Sequence, residues 1–189
     1  MGERLIVGMS GASGAPLTVE LLRQLHDNHP EVETHLIVTR GGELTLEHET
    51  GMTLAELQTL ACVCHDNGSI GAAVASGSFK TMGMVIVPCS MKTVAGIVSG
   101  YSDNLLLRAA DVCLKERRKL VLAAREAPLS TVHLRNLYEA SQLGAVILPP
   151  MLTYYNRPAS VEDCTRHTVN RLLSQFDLDG DSYHWEGME

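Results

Sequence analysis

Short runs of aliphatic residues, many of them β-branched, alternate along the chain with longer amphipathic stretches. The short runs predict buried strands at Arg4–Met9, Glu33–Thr39, Met84–Val87, Lys119–Ala123 and Ala145–Leu148. The amphipathic stretches predict helices at Leu17–Leu25, Glu43–His48, Leu54–Leu60, Leu105–Glu116, Thr131–Leu143 and Val161–Phe176. Strands and helices that alternate in this way form a mostly parallel sheet with helices on both faces, a three-layer α/β/α fold.

A single domain is expected for residues 1–189. The length suits one core of moderate size, and no linker-like tract or internal repeat divides the sequence. The interval Cys62–Ser78 is predicted to be irregular. The acidic and polar residues 177–189 are predicted to form a C-terminal tail.

Composition argues against several kinds of partner. The formal net charge of -7 disfavours nucleic acid, because binding to the phosphate backbone depends on Lys and Arg. No apolar run reaches the ~18 residues of a membrane-spanning helix, and the first residues do not resemble a secretory signal. The five cysteines fit neither a disulfide scaffold nor a zinc site, which predicts reduced thiols, a cytoplasmic location and no bound metal.

The loop after the first predicted strand, Gly8–Pro16, contains three glycines and two serines and leads into a helix. Ligands bind parallel sheets of this kind beyond the carboxyl ends of the strands, where a glycine loop and a helix N-terminus suit an anion. The spacing is not G-x-G-x-x-G, and Thr39-Arg40 ends the second strand without a carboxylate for a ribose diol. A mononucleotide is therefore favoured over NAD, and a plain tight turn is the alternative explanation.

Hydroxyls and cations also follow the later strands. Ser90, after one strand, predicts either a helix N-cap or a phosphate contact. Arg125 and Glu126, after the next, predict either a surface ion pair or part of a site. The small turn Ser76–Ser78 adds two more hydroxyls.

A second group of charged side chains lies on predicted helices. Arg108 and Lys115 are seven residues apart and share one helix face, and Asp111 is spaced to pair with both. The stiff loop Pro149–Tyr155 ends in two tyrosines, and Arg171 interrupts the apolar face of the last helix. Each feature alone is unremarkable, but together they predict a site for a phosphorylated ligand.

Seven segments, in register, resemble UbiX-type flavin prenyltransferases: Met9–Gly14, Ser76–Phe79, Pro88–Ser90, Arg108–Asp111, Leu114–Arg117, Arg125–Pro128 and Gly144–Ile147. The resemblance runs from about residue 4 to residue 176 and is strongest to members described as the second subunit of hydroxyaryl-acid decarboxylases. It implies a Rossmann-like or flavodoxin-like protomer in a homododecamer, with FMN at subunit interfaces and no metal. It further implies that dimethylallyl phosphate prenylates reduced FMN at N5 and C6, and that prenylated FMN passes to a UbiD-type decarboxylase.

The resemblance also implies roles for individual residues. The implied FMN contacts are Gly11, Ala12, Ser13, Thr39, Ser90, Met91, Lys92, Thr93 and Arg125. The implied contacts to dimethylallyl phosphate are Arg108, Lys115, Arg125, Tyr155, Arg171 and Trp185. The implied catalytic groups are Ser13, Glu49 and Glu126. His184 stands where the family often has an arginine beside the tryptophan.

Two other functions stay open. A flavoprotein decarboxylase that acts directly on its own substrate has a related fold, but such proteins typically carry an asparagine in the segment that corresponds to Pro88–Thr93, and this chain has none there. A non-catalytic flavin carrier or subunit of a decarboxylase complex would not need the charged residues Glu49, Lys115, Glu126 and Arg171.

Overall fold

The computed structural model describes residues 3–180, which form six strands and seven α-helices. The strands are β1 (Glu3–Met9), β2 (Val32–Val38), β3 (Val63–His65), β4 (Gly83–Cys89), β5 (Lys119–Ala124) and β6 (Val146–Ile147). The helices are α1 (Ala15–Asn28), α2 (Arg40–Thr50), α3 (Leu54–Gln58), α4 (Met91–Ser99), α5 (Leu105–Lys115), α6 (Thr131–Gln142) and α7 (Val161–Leu173). Two short 3₁₀ turns occur at Ala73–Ala75 and Ser174–Phe176.

The sheet has the strand order β3-β2-β1-β4-β5-β6, and each of its strand pairs is parallel. This is the order of the doubly wound Rossmann arrangement. The predicted three-layer fold is confirmed, and the Rossmann-like arrangement is the one found. Ligands bind such sheets in the crevice beyond the strands at which the order reverses, here β1 and β4.

The central strands form from continuous apolar runs because both of their faces are buried. In β1, Leu5, Val7 and Met9 belong to one core and Ile6 to the other, since successive side chains of a strand point to opposite faces. Helices α1 and α7 contribute to the first core, and α4 and α5 contribute to the second. The sheet is thereby fixed between two helical layers.

The structure differs from the predicted elements in a few places. β3 lies in the interval predicted to be irregular, because a three-residue strand beside β2 is too short to show a periodic pattern. α4 is absent from the predicted helices, and the last helix ends at Leu173, where a 3₁₀ turn follows. Of the predicted tail, the structure describes residues 177–180, and Leu178 packs into the first core. Within residues 3–180, no helix has both the length and the apolar character that crossing a bilayer requires.

Candidate active site

Three helices begin at the carboxyl edge of the sheet beside one cleft. Thr39, Ser90 and Asn104 are the N-caps of α2, α4 and α5, and each side chain accepts a hydrogen bond from a backbone N–H of the first turn. All three caps line a cleft of about 870 Å³, a volume typical of ligand sites. Because the N-terminal end of a helix carries partial positive charge, three such ends around one cleft favour an anion there.

Cationic side chains add to this effect. Arg40 directly follows the cap Thr39, and Lys92 lies two residues after the cap Ser90; both are exposed and line the same cleft. Arg40 also contacts Glu43 at 3.6 Å, an ion pair at the surface. The lining also includes Arg135, Asp103 and Glu139, so three cations face two carboxylates and the cleft carries a small excess of positive charge although the chain as a whole is acidic.

The loop after β1 is bonded to the loop after β4 through Ser10. The Ser10 hydroxyl donates to the carbonyl of Pro88 (3.1 Å) and accepts from the N–H of Ser90 (2.8 Å), and the residue is only 1 % exposed. Gly11 lies against Gly41, where an added Cβ would come within 2.9 Å of the Gly41 Cα. Only glycine allows this close approach. The hydrogen bonds of Ser10 and the contact between the two glycines therefore fix the wall of the cleft within the protomer.

Glu49, at the end of α2, reaches the start of α1. Its Oε2 accepts hydrogen bonds from the N–H groups of Gly14 (2.9 Å) and Ala15 (2.8 Å), and α1 has no side-chain cap from its own N-cap residue. Burial raises the pKa of Glu49, but the bonds from Gly14, Ser13 and Ala15 and the charge of Arg125 outweigh it, so the pKa lies below its ordinary value. The structure thus brings Ser13, Glu49 and Arg125 together around an ionised carboxylate.

Arg125 and Glu126 follow β5 and are both exposed. The backbone N–H of Arg125 donates to the carbonyl of Cys89, which holds this strand end beside the end of β4. The surface ion pair between Arg125 and Glu126, one of the two predicted alternatives, is not formed among the described residues. The Glu126 carboxylate instead accepts a hydrogen bond from the N–H of Ala127 at 3.0 Å.

Tyr155 and Arg171 lie in the region after β6. Tyr155 belongs to the irregular segment between β6 and α7, and its hydroxyl lies 2.9 Å from Nε2 of His167. Arg171 is exposed in the last turn of α7, four residues beyond His167, on the same side of the helix. Burial lowers the pKa of His167, and the positive charge of Arg171 lowers it further.

Arg108 and Lys115 are both on α5. Arg108 pairs with Asp111 at 2.6 Å, as predicted, whereas Lys115 pairs with Glu116 rather than with Asp111. Lys115 ends α5 close to the start of β5, at the amino edge of the sheet. The length of β5 separates it by roughly 20 Å from Arg125. A single protomer therefore does not bring Lys115 to the other predicted anion contacts.

The remaining predicted residues divide by exposure. Thr93 and Met91 are 7 % exposed, and Met91 belongs to the second core, so Met91 has little side-chain surface to offer a ligand. Ala12 is half-buried in the first loop. Trp185 lies outside the described residues. Within residues 3–180, no cluster of three or more His, Cys, Asp or Glu side chains is arranged to hold a metal ion.

Sequence reasoning missed several members of this region. Asn104 directly precedes an apolar periodic run, a signal for an N-cap that could have been used. His167 is spaced one turn before Arg171, a signal only once Arg171 is of interest. Asn67 lines the cleft from the segment predicted to be irregular, where no pattern marks it.

Comparison with known proteins places the chain in a family. It matches the model of the Flavoprotein family over residues 1–171. It is 54 % identical to the flavin prenyltransferase UbiX of Escherichia coli (strain K12) over 174 residues, which are 92 % of each protein. The solved structure of AnUbiX (PadA1) in complex with FMN and dimethylallyl pyrophosphate has a TM-score of 0.96 and 46 % identity, covering all of both chains.

A second solved structure is the dodecameric FMN-dependent UbiX-like decarboxylase of Escherichia coli O157:H7. Its TM-score is 0.95 at 49 % identity, covering 98 % of this chain and 100 % of that one. The predicted resemblance is confirmed over nearly the whole length. The chain belongs to the flavoprotein family and, within it, to the UbiX-like flavin prenyltransferases.

Proposed function

We propose that the protein transfers a dimethylallyl group to reduced FMN, and that it binds the FMN phosphate in the cleft beyond the carboxyl ends of β1, β2 and β4. The observation that carries this proposal is the convergence of three capped helix N-termini, with Arg40 and Lys92, on one cleft of about 870 Å³. This arrangement fits a ligand with one phosphate. A relative of 46 % identity, described with FMN and dimethylallyl pyrophosphate, supports it.

The predicted FMN contacts keep their assignment under this proposal. Thr39, Ser90, Lys92 and Thr93 line the cleft together with Gly11. Ala12, Ser13, Met91 and Arg125 flank it and are assigned to FMN through the same loops. When bound, reduced FMN supplies N5 and C6, the two atoms to which the dimethylallyl group becomes attached.

The second substrate is assigned to the exposed region after β5 and β6. Arg125, Tyr155 and Arg171 would hold the phosphate of the prenyl donor and stabilise the charge that grows on it as it departs. Charge-assisted hydrogen bonds of this kind are stronger than neutral ones, and their geometry makes binding specific for the position of the phosphate. A single basic cluster favours the monophosphate over the pyrophosphate as the donor. Measuring kcat/KM for dimethylallyl phosphate and for dimethylallyl pyrophosphate tests this preference.

Lys115 joins this cluster only if it comes from a second copy of the chain, because it lies at the opposite edge of the sheet in its own protomer. We assign Arg108, on the same helix, to the same contact. A dodecameric relative of 49 % identity supports a homo-oligomer of this kind. Trp185 is assigned beside the prenyl group as an aromatic wall that excludes water.

Proton movement is assigned to Glu126, and orientation of the flavin to Ser13 and Glu49. Glu49 already accepts hydrogen bonds from two backbone N–H groups, and its pKa is lowered. It is therefore better suited to position Ser13 as a fixed hydrogen-bond acceptor than to carry a proton. Glu126 is exposed and is not held by an ion pair among the described residues. It is therefore the carboxylate that remains available to accept the proton lost from C6.

The product is proposed to serve a decarboxylase of the UbiD type, and the cytoplasm is proposed as the location. The odd number and the spacing of the five cysteines support a reducing compartment. A direct test adds the flavin product of this protein to a UbiD-type decarboxylase purified without cofactor. Recovery of decarboxylation only after incubation with the prenyl donor supports the proposal. Equal recovery with FMN alone would instead identify a flavin carrier.

A further inference from the structure

We infer that His167 is a positioning residue for the prenyl donor, which it orients through the hydroxyl of Tyr155. The inference rests on the proposed role of Tyr155. His167 lies on α7 and is only 5 % exposed, whereas Tyr155 is 48 % exposed and belongs to a segment without helix or strand. The buried ring thus ties an exposed tyrosine to a rigid element.

The contact between the two side chains combines a hydrogen bond with ring packing. The Tyr155 hydroxyl and Nε2 of His167 are 2.9 Å apart, and the two rings pack edge to face with centroids 5.5 Å apart at 81°. Both the hydrogen bond and the ring packing therefore restrain the tyrosine. A phenylalanine in place of His167 would retain much of the packing and lose the hydrogen bond.

The surroundings of the second ring nitrogen, Nδ1, indicate which atom donates in the hydrogen bond between His167 and Tyr155. Nδ1 of His167 is buried and has no hydrogen-bond partner among the described residues. Burial lowers the pKa of His167 and the charge of Arg171 lowers it further, which favours the neutral ring with a single N–H at neutral pH. A buried N–H without an acceptor is costly, which favours the proton on Nε2.

This proton position has a consequence for Tyr155. When Nε2–H donates to the tyrosine oxygen, the phenol proton is directed to another acceptor. Arg171 lies one helical turn from His167, so an anion that contacts Arg171 is placed to accept that proton. His167 thereby converts Tyr155 into a hydrogen-bond donor for the phosphate of the prenyl donor.

The test measures the dissociation constants of FMN and of dimethylallyl phosphate, the latter with FMN-loaded protein, for the variants and the parent protein. His167→Phe is expected to weaken dimethylallyl phosphate binding about tenfold and to leave FMN binding unchanged. His167→Gln, which places an amide near the Nε2 position, is expected to restore most of the affinity. Tyr154→Phe is the matched control, because Tyr154 is the exposed neighbour and is not assigned to the site.

The double variant His167→Phe with Tyr155→Phe completes a cycle with Tyr155→Phe alone. The loss from His167→Phe should vanish when Tyr155 already lacks its hydroxyl. The inference is overturned if His167→Phe binds the donor normally, weakens FMN equally, or costs the same in the Tyr155→Phe background. If Tyr155→Phe alone has no effect on the donor, the proposed role of Tyr155 falls and the inference with it.

Discussion

The two halves of the candidate site are built differently. Around β1, β2 and β4, the hydroxyls of Ser10, Thr39 and Ser90 already make hydrogen bonds inside the protomer. After β5 and β6, Arg125 and Arg171 are exposed, and the chain between β6 and α7 has no regular structure. The first half is a preformed cradle, and the second is an open surface with charge.

Because of this difference, substitutions in the two halves are expected to affect different properties of the protein. Groups of the first half support the fold as well as the ligand, so their loss is expected to reduce both stability and FMN affinity. Groups of the second half contribute little to the protomer, so their loss is expected to reduce only donor binding or rate. Substitutions in the two halves are therefore expected to differ in which property they change, and by how much.

The largest effect is expected for Glu126→Gln. The variant keeps the shape and loses the group that accepts the proton, so product formation should slow by ~10²–10⁴-fold with both ligands bound. A single-turnover flavin spectrum at saturation measures this rate, and thermal unfolding of the variant should match the parent protein. An unchanged rate would remove Glu126 from the mechanism and leave Glu49 or the phosphate to carry the proton.

Arg171→Ala and Lys115→Ala should each weaken dimethylallyl phosphate binding by about ten- to hundredfold, the range for a charge-assisted contact. FMN binding should be spared. Arg166→Ala is the matched control, since Arg166 is exposed on the same helix as Arg171 and pairs with Asp163.

The same two variants test where Lys115 acts. If Lys115 serves the site of a neighbouring copy, oligomers assembled from a mixture of the two variants should regain part of the activity, because some sites then combine intact Lys115 with intact Arg171. Light scattering verifies the assembly. No recovery in verified mixed oligomers would contradict the contribution in trans.

Gly11→Ala should weaken FMN binding and destabilise the fold together. The added Cβ would come within 2.9 Å of the Gly41 Cα, and backbone on both sides leaves no flexible side chain to yield. Overpacking of this kind costs ~1–3 kcal/mol. Calorimetry with FMN and chemical denaturation measure the two effects, and normal FMN affinity in this variant would contradict the preformed cradle.

Ser90→Ala should lower the free energy of unfolding by ~1 kcal/mol, the usual cost of a lost N-cap, and should also weaken FMN binding. Ser130→Ala removes a comparable cap from α6, where the cap is not assigned to the ligand. The control should therefore lose similar stability and keep its FMN affinity. Equal FMN affinities in the two variants would show that Ser90 serves only the helix.

The smallest effect concerns pH and Glu49. The pKa of Glu49 in the folded protein lies below 4.5, its ordinary value, so its contribution to stability is complete above pH 4.5 and is lost as pH falls through the folded pKa. Glu49→Gln should therefore flatten the loss of stability in acid. Denaturation midpoints across this range measure it, and an identical acid limb in the variant would contradict the ionised cap of α1.

The sequence predicted the strands and helices whose burial produces a recognisable pattern of apolar residues. β1 and β4 are continuous apolar runs because both faces of the sheet are covered. β3 could not be predicted, because three residues at an edge carry too little pattern. The sequence also did not show α4 as a helix, although Ser90 correctly predicted its N-cap.

The site was predictable to the extent that it follows strand ends. The loops after β1 and β4 were found because glycines and hydroxyls cluster there and the parallel sheet brings them to one edge. That Lys115 lies apart from Arg125 depends on the direction of α5 and the length of β5, which residue types alone do not encode. The partner of Tyr155 was missed because a buried histidine on a helix resembles an ordinary core residue.

The most direct test of the proposed function is the mass of the flavin that the protein releases. Reduced FMN and dimethylallyl phosphate are incubated anaerobically with the protein, and the extracted flavin is analysed by mass spectrometry, with Glu126→Gln in parallel. A flavin prenyltransferase releases FMN that is heavier by one dimethylallyl unit, and far less of this product is expected from the variant at early times. Recovery of FMN alone from protein that has been shown to bind both ligands would contradict it.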